Sequence, residues 1–360
     1  MNNNDNQTLN KIFLLFYETP PNIIETFDLC RVDDDFRKVY IVDDDKKKIV
    51  IKHTSNAFTN EKRINAWSHL IDEYNKLGIY SPKIIPNLKG ELFYKYNENG
   101  RDYYVYAEEF AKYDTAEHIF KDKSKNVDGK LCYLDDMLQS VGKVASQHFD
   151  FCDFPSAYCM LEPFCFPDTT DEGTDCAMIF RDYVRDNIPE YYPRVEKLVD
   201  LFLHNKEELS KVYAKLPVSC FQADLNDSNV LLDDNNTFVG LIDYNLSGKE
   251  PVLNYTVRAA LWNVSGNDLY GNDNENLFWY DRKIDDLRIE LFLNNIKCIQ
   301  KCYTYSDIER EIFPIIFRYM NSFWWQHIDE IKEIKNDGVK INMLLDWLEH
   351  QMTRDDIRLP

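Results

Sequence analysis

The sequence predicts an α+β chain made of two lobes, a small antiparallel β-rich lobe over residues 1–111 and a large, mainly helical lobe over residues 112–360. Two observations predict this division. Short β-rich runs with one amphipathic helix fill the first third of the chain, whereas helical spacing of apolar residues prevails after Ala111. A hydrophobic fraction of 44% is ample for a packed core and excludes global disorder.

The small lobe is predicted as strand, strand, helix, strand, strand. Residues 37–42 and 49–53 are β-rich runs on either side of a polar turn, and residues 91–96 and 103–110 form a second such pair. Between the pairs, residues 59–77 carry apolar side chains at spacings of three and four, the pattern of an amphipathic helix. This order gives a small antiparallel sheet with one helix packed on it.

The large lobe is predicted to be helical with one strand-like insert at residues 221–242. A segment rich in Pro, Phe, Tyr and Cys, residues 152–171, has no clear period, and it either lines a pocket or packs as a surface flap. Apolar residues recur at helical spacing over residues 131–148, 175–185, 193–216, 281–304, 306–328 and 341–352.

The charge and cysteine patterns exclude several classes of protein. The chain carries 42 Lys and Arg against 62 Asp and Glu, and its formal net charge of −20 disfavours a nucleic-acid partner. The nine cysteines form no Cys-x-x-Cys pair, which argues against a zinc site or a disulfide framework. No signal peptide is visible, and no apolar stretch approaches the roughly 20 residues of a membrane span. We therefore expect a cytoplasmic protein without a membrane partner.

Three polar residues in the strand-like insert form the pattern with the clearest chemistry. Asp224 is followed five positions later by Asn229, and Asp243 follows an apolar run directly. A hairpin over this segment would bring Asn229 and Asp243 to one end, beside Asp224. Phosphoryl transfer needs a carboxylate near the acceptor hydroxyl and Asn and Asp oxygens on Mg²⁺, and the spacing is that of a kinase catalytic loop and metal-binding aspartate. An ordinary hairpin with Asp and Asn at its turns is the alternative.

Residues 222–233 and 240–245 resemble the His-Gly-Asp-Leu-His-x-x-Asn and Gly-Val-Ile-Asp-Trp signatures of the aminoglycoside phosphotransferase and choline kinase family. The resemblance implies a protein-kinase-like two-lobed fold and the phosphorylation of small-molecule hydroxyl groups with ATP or GTP. It also implies that Asp224 is the catalytic base and that Asn229 and Asp243 are Mg²⁺ ligands.

The N-terminal lobe supplies the matching half of the resemblance. Lys52 ends a run similar to the family's third strand, whose lysine contacts the α- and β-phosphates. The helix that follows should offer an acidic partner for this lysine, and Glu61 is expected, with Glu73 as its rival on the solvated face. The strand at residues 103–110 resembles the one that leads into the interlobe hinge, whose backbone groups hold the nucleobase. The residues expected at this hinge are Glu109, Phe110 and Ala111.

Two departures from the family signature bear on activity. Gln222-Ala223 replaces His-Gly and Asn226 replaces the second His, although the base, the Asn and the metal-binding Asp are present. The loop at residues 33–38 has three acids, a Phe and two bases, but a phosphate-cradling loop usually needs glycine for the close approach of its N–H groups. Arg37 or Lys38 could contact phosphate instead, and we expect lowered nucleotide affinity rather than lost function.

The sequence therefore predicts a Mg²⁺-dependent phosphotransferase that moves the γ-phosphate of ATP or GTP to a small-molecule hydroxyl. Acidic and aromatic residues of the C-terminal helices would favour a cationic acceptor such as an amino sugar or amino alcohol, or they form a solvated face. These residues are Asp281, Asp285, Asp286, Trp324, Trp325, Asp329 and Glu330. The main alternative is a pseudokinase that acts as a nucleotide-binding or scaffold module. A protein kinase is disfavoured because no activation-loop segment follows Asp243.

Overall fold

The computed structural model describes residues 3–31, 35–121, 132–165, 170–262, 280 and 282–360. The N-terminal part of the chain has six strands, β1 (Asn22–Asp28), β2 (Phe36–Asp43), β3 (Lys48–Ser55), β4 (Ile84–Ile85), β5 (Phe93–Glu98) and β6 (Arg101–Glu109). They form one antiparallel sheet in the order β1-β2-β3-β6-β4, with β5 also paired to β6. The four predicted strands correspond to β2, β3, β5 and β6.

The two faces of this sheet pack against different helices. Helix α1 (Asn3–Phe13), which was not predicted, covers one face together with the turn after it. Helix α2 (Glu61–Lys76) matches the predicted helix and lies on the other face, where the Trp67 ring is 6.0 Å from that of Tyr106. It begins at Asn60, whose side chain accepts a hydrogen bond from the Arg63 amide at 3.0 Å.

Helices make up most of the remaining chain, as predicted. They are α3 (Ala116–Lys121), α4 (Leu134–Ala145), α5 (Glu172–Asn187), α6 (Tyr192–Tyr213), α7 (Val252–Trp262), α8 (Arg282–Gln300), α9 (Asp307–Met320), α10 (Trp325–Glu333) and α11 (Gly338–Thr353), with a 3₁₀ turn at Pro189–Tyr191. Among the described residues, no helix combines the length and the apolar character that crossing a membrane requires.

Two small sheets accompany these helices. Strands β7 (Asp114–Thr115), β9 (Val230–Leu232) and β10 (Phe238–Leu241) form a three-stranded sheet, and β8 (Val218–Phe221) pairs with β11 (Gly248–Pro251). Strands β9 and β10 lie within the predicted strand-like insert at residues 221–242, and β8 ends where that insert was predicted to begin.

The helix predicted over residues 306–328 is interrupted. Helix α9 ends at Met320, and α10 begins only at Trp325. At the corner between them, Nδ1 of His327 accepts a hydrogen bond from the Trp324 amide at 3.1 Å and so caps the second helix. Apolar spacing continues through this corner, which is why the periodicity alone predicted one helix.

A close contact joins the segment after α2 to strand β10. The Tyr80 amide donates to the Val239 carbonyl at 2.9 Å, and the Leu241 amide donates to the Tyr80 carbonyl at 2.9 Å. Gly240 lies between these two bonds, and a Cβ atom there would stand 1.8 Å from the Tyr80 carbonyl oxygen. Glycine is therefore required at this crossing, which fixes the strand that leads into Asp243.

Candidate functional site

The hairpin of residues 222–243, which we call the catalytic hairpin after the role that the sequence predicts for it, brings the three predicted polar residues together. Strands β9 and β10 pair with Val230 opposite Leu241, and the Ile242 amide donates to the Asn229 carbonyl at 3.0 Å. The side-chain amide of Asn229 in turn donates to Oδ2 of Asp224 at 2.8 Å. Asn229, Asp224 and the strand end that carries Asp243 therefore share one end of the hairpin.

The Asp224 carboxylate is held by two amide groups. Nδ2 of Asn226 donates to Oδ1 at 2.7 Å, and Nδ2 of Asn229 donates to Oδ2. Burial and then the negative charge of Asp243 raise the pKa of Asp224 to about 6, although these hydrogen bonds oppose the rise. Asn226, which stands where the family signature has its second His, thus orients the Asp224 carboxylate.

Gln222 is a structural residue of the hairpin that the sequence did not identify. Its Nε2 donates to the carbonyls of Ile242 and Asp243, both at 2.8 Å, and its Oε1 accepts from the Asp224 amide at 2.7 Å. The side chain is fully buried and ties the two sides of the site together. Next to it, Ala223 adopts a left-handed φ of 69°, a conformation that favours the glycine of the family signature.

Lys52 on β3 lies between two carboxylates. Its Nζ is 3.0 Å from Oε1 of Glu108 and 3.0 Å from Oδ1 of Asp243. Although burial opposes it, the charges of Asp243 and Glu108 raise the pKa of Lys52, and the ammonium group is retained. The lysine thus links the N-terminal sheet to the catalytic hairpin.

The acidic partner of Lys52 differs from the one expected. Glu61 opens α2 with an exposed side chain, and its carboxylate is 3.4 Å from Nζ of Lys95. The prediction that Glu61 pairs with Lys52 is therefore wrong for this structure, and Glu108 of the adjacent strand takes that place. The rival residue Glu73 instead contacts Lys76 at 2.7 Å. Strand β6 runs beside β3, with Tyr106 opposite Lys52, and this places Glu108 within reach.

The expected hinge residues lie at the end of β6, which Glu109 closes, and directly after it. The Glu109 amide donates to the Lys83 carbonyl at 2.9 Å, and the Glu109 carboxylate accepts from the Lys83 amide at 3.1 Å. The ring of Phe110 lies 3.6 Å from the ammonium group of Lys48. The Glu109 amide is therefore engaged within the protein, and a nucleobase contact at Glu109, Phe110 or Ala111 stays a prediction.

The two basic residues of the glycine-free loop lie on opposite faces of the sheet. Val39 is opposite Lys52, and side chains alternate along a strand, so Arg37 shares the face of Lys52. Lys38 lies on the other face and is 3.5 Å from Asp28. The guanidinium of Arg37 donates to Asp35 at 2.7 Å. Two acids of the loop, Asp33 and Asp34, lie outside the described residues.

The donor set of the hairpin suits a hard cation. Asn229 uses its Nδ2 on Asp224, so its remaining side-chain atom is a carbonyl oxygen. Asp243 adds a carboxylate, and the charges of Asp224 and Asp243 are close enough for one to raise the pKa of the other. Amide and carboxylate oxygens beside excess negative charge are what Mg²⁺ prefers, so the residues present fit this ion.

A cavity of about 390 Å³ is lined by Tyr158 and by side chains of the helices after residue 171; we call it the acceptor cavity, after the acceptor that the sequence predicts beside the C-terminal helices. Tyr158 lines it, and the nearby Asp224 charge adds to the burial that raises the pKa of the Tyr158 hydroxyl. Trp324 and Trp325 of the corner between α9 and α10 also line the cavity, and the break in the predicted helix therefore shapes it.

The acids expected around an acceptor do not line this cavity. Asp285 is buried between Arg288 and Arg354 at 3.1 and 2.8 Å, whereas Asp329 is exposed beside Lys332. Asp286 and Glu330 are not among the lining residues, and Asp281 lies outside the described part of the chain. Among the described residues, the carboxylate in the lining is that of Glu172.

No known family model matches the sequence, and no curated protein matches it. Solved structures do match. The amicoumacin kinase hAmiN in complex with AMP-PNP, Ca²⁺ and Ami is 13% identical, with 97% of this chain and 93% of that chain covered and a TM-score of 0.55. The microcompartment-associated aminopropanol kinase is 11% identical, with 97% and 95% covered and a TM-score of 0.52. At these identities the likeness concerns the fold alone, and the expected two-lobed kinase-like fold is confirmed.

Proposed function

We propose that the chain is a phosphotransferase that moves the γ-phosphate of ATP or GTP to a hydroxyl group of a small molecule. One observation carries this proposal: Asp224 and Asn229 are joined on one hairpin, and Lys52 of the sheet pairs with Asp243 of the same hairpin. The fold is shared with two proteins described as kinases, one of which was solved with a nucleotide analogue and a divalent cation.

Asp224 would receive the proton of the acceptor hydroxyl. Its carboxylate is oriented by amides from Asn226 and Asn229, and it lies near Tyr158 of the acceptor cavity. A hydroxyl bound in that cavity would approach a fixed proton acceptor, and this positioning is what phosphoryl transfer requires of the protein.

Lys52 and the oxygens of Asn229 and Asp243 would hold the nucleotide phosphates. A Mg²⁺ ion bound by Asn229 and Asp243 would neutralise charge on the phosphates during transfer. Lys52 is already oriented by Glu108 and by Asp243, so its ammonium group is fixed between the sheet and the hairpin. Arg37 shares the face of Lys52 and is the basic residue of the loop that we expect to contact phosphate.

A catalytically inactive pseudokinase is the second candidate, and the glycine-free loop favours it. Nucleotide binding alone would not separate the two, since both would be stabilised by it. A cationic acceptor, a cytoplasmic location and a lobe boundary at Ala111 remain predictions from the sequence.

The test is product formation from Mg-ATP or Mg-GTP with a panel of amino alcohols, amino sugars, nucleosides and hydroxy acids, followed by mass spectrometry. We expect a phosphorylated acceptor, and Asp224→Asn should lower its rate by about 10² to 10⁴-fold because the proton acceptor is lost. Asp234→Asn, in the exposed turn of the same hairpin, is the matched control and should retain the rate.

Absence of a phosphorylated product across the panel would refute the proposal. If Mg-nucleotide then still raised the melting temperature, and Asp243→Asn abolished that rise, the pseudokinase would be supported instead.

A further inference from the structure

Arginine side chains of the protein already stack on aromatic rings that line the acceptor cavity. The guanidinium carbon of Arg258 lies 3.9 Å from the ring centroid of Tyr158 and 4.4 Å from that of Trp324. The guanidinium carbon of Arg288 lies 4.9 Å from the ring centroid of Trp347. These ring faces are the groups that would bind an ammonium ion, and here a second cation would meet an arginine.

The described lining also has little unpaired negative charge. Its carboxylate, Glu172, accepts hydrogen bonds from Nη2 of Arg258 at 3.3 Å and from Nε1 of Trp325 at 3.2 Å. Against this one acid the described lining carries two arginines, of which Arg288 also pairs with the buried Asp285 at 3.1 Å, although the whole chain has a formal net charge of −20. The cavity is therefore unlike the rest of the molecule in its charge.

A buried donor without a protein partner lies in the same wall. Oδ1 of Asn321 accepts a hydrogen bond from Nη1 of Arg288 at 2.9 Å, so the other atom of this amide, Nδ2, is a donor. Within the described part of the chain Nδ2 has no hydrogen-bond partner, and the residue is only 3% exposed. A buried donor of this kind is satisfied by an oxygen of a bound molecule or of water.

We propose that the acceptor of this phosphotransferase is a hydroxyl-bearing carboxylate with a planar or aromatic body, rather than an amine. Its carboxylate would lie on the side of Arg258 and Asn321, and its body would contact the ring of Trp325, which is 48% exposed. This inference rests on the proposed function for the reaction, but the binding preference itself can be measured without any reaction.

Three compounds of similar shape test the preference: 4-(hydroxymethyl)benzoate, 4-methylbenzyl alcohol and 4-(aminomethyl)benzyl alcohol. Their binding to the full chain is measured by calorimetry with Mg²⁺ and a non-hydrolysable ATP analogue present. We expect the carboxylate to bind at least about tenfold more tightly than the amine, with the neutral alcohol between them. Equal binding, tighter binding of the amine, or no binding of the carboxylate would overturn the inference. Turnover, measured separately, decides the proposed function.

The variant Asn321→Asp tests the role of the buried donor in the cavity wall, because it replaces Nδ2 by a carboxylate oxygen and keeps the shape of the side chain. The Asp retains an acceptor for Arg288, so the fold should persist, which circular dichroism checks. We expect 4-(hydroxymethyl)benzoate to bind about tenfold more weakly and the neutral alcohol to change little. Asn294→Asp, an exposed change on α8, is the matched control for added charge.

Unchanged binding of 4-(hydroxymethyl)benzoate to Asn321→Asp would contradict the proposal. Trp325→Ala supplies a second measurement, because that ring is exposed and its removal should not unfold the chain. It should weaken all three compounds to a similar extent, and unchanged binding of all three would exclude this cavity as their site.

Discussion

The catalytic hairpin and the acceptor cavity lie close together but differ in the arrangement of their charged groups. The hairpin holds Asp224 and Asp243 so close that the charge of Asp243 helps to raise the pKa of Asp224 to about 6. In the cavity wall, Glu172 is paired with Arg258. In the hairpin, two negative charges come from a single stretch of chain. In the cavity wall, opposite charges from separate helices are paired.

This difference shows that the net charge of −20 agrees with the charge of the hairpin but is a poor guide to the cavity. Excess carboxylate charge in the hairpin is suited to a bound cation, since a cation relieves the repulsion. Balanced pairs on aromatic faces offer no such gain to a cationic acceptor. On the two proposals made above, the hairpin would bind a cation and the cavity a carboxylate, although both belong to one acidic protein.

The largest effect is expected where the hairpin meets the N-terminal part of the chain. In Gly240→Ala the new Cβ would stand 1.8 Å from the Tyr80 carbonyl oxygen, so β10 and the Tyr80 segment must separate. We expect a loss above about 4 kcal/mol in the free energy of unfolding, or no folded protein. Urea denaturation measures it.

Gly90→Ala is the control for this change. Gly90, unlike Gly240, has a positive φ, 84°, and nothing lies within 4 Å of its Cβ position, so only backbone strain of about 1 to 2 kcal/mol is added. Equal losses in the two variants would show that the close contact at Gly240 is unimportant.

A pH effect is expected from Glu250, on the strand that precedes the helix carrying Arg258. Burial raises the pKa of Glu250 from 4.5 to about 7, although hydrogen bonds from Ser156 and Asn254 oppose the rise. The folded state therefore keeps the proton over a range in which the unfolded chain releases it. The contribution of Glu250 to stability is greatest below pH 4.5 and is lost as the pH rises from there through about 7, by at most about 3 kcal/mol.

Glu250→Gln keeps a neutral side chain of the same shape and should remove this dependence. At pH 4 the variant should match the wild type, and at pH 8 it should be more stable, as denaturation across this range measures. Glu290→Gln, on an exposed face of α8, should leave the wild-type profile unchanged. A flat profile for the wild type would contradict the raised pKa.

The same contrast explains how far the sequence could predict the molecule. The hairpin was predictable because Asp224, Asn229 and Asp243 lie in one stretch, where residue spacing determines how strands place them. The cavity was not, because its walls come from segments more than 100 positions apart, such as Tyr158 and Trp324. The break between α9 and α10 at residues 321–324 was not predicted, because apolar residues keep their helical spacing through it.

The pairing of Lys52 shows the limit within the small lobe. A helix acid was expected because α2 follows β3 directly, but Glu108 is brought beside Lys52 by the pairing of two strands distant in sequence. Such pairing depends on which strands become neighbours, and the order in the sheet was not given by the spacing of residues in either strand.

The next prediction tests that pairing. Glu108→Gln removes a carboxylate 3.0 Å from Nζ of Lys52, and Lys52 would then be drawn toward Asp243 alone. We expect kcat/KM for Mg-ATP to fall by about 10- to 100-fold, with the acceptor KM little changed. Glu61→Gln is the control and should keep the wild-type value, because its partner is Lys95. If Glu61→Gln lowered kcat/KM more than Glu108→Gln did, Glu61 would be the functional partner of Lys52, as the sequence predicted.

The smallest effect concerns the glycine-free loop. Arg37 shares the cleft face with Lys52, whereas Lys38 lies on the face that α1 covers, beside Asp28. A guanidinium can bind phosphate oxygens through two parallel N–H donors and would partly replace the backbone N–H groups of a glycine-rich loop. We therefore expect Arg37→Ala to raise the KM for Mg-ATP by about tenfold while kcat changes little.

Lys38→Ala removes the neighbouring positive charge and provides the control. Since its side chain lies on the opposite face, the KM for Mg-ATP should stay within about twofold of the wild type, and the difference between the variants should shrink at high salt as exposed charges are screened. Equal rises in KM would mean that general positive charge, and not the position of Arg37, attracts the nucleotide. A fall in kcat without a change in KM would instead mean that Arg37 stabilises the phosphate during transfer, together with the residues of the hairpin.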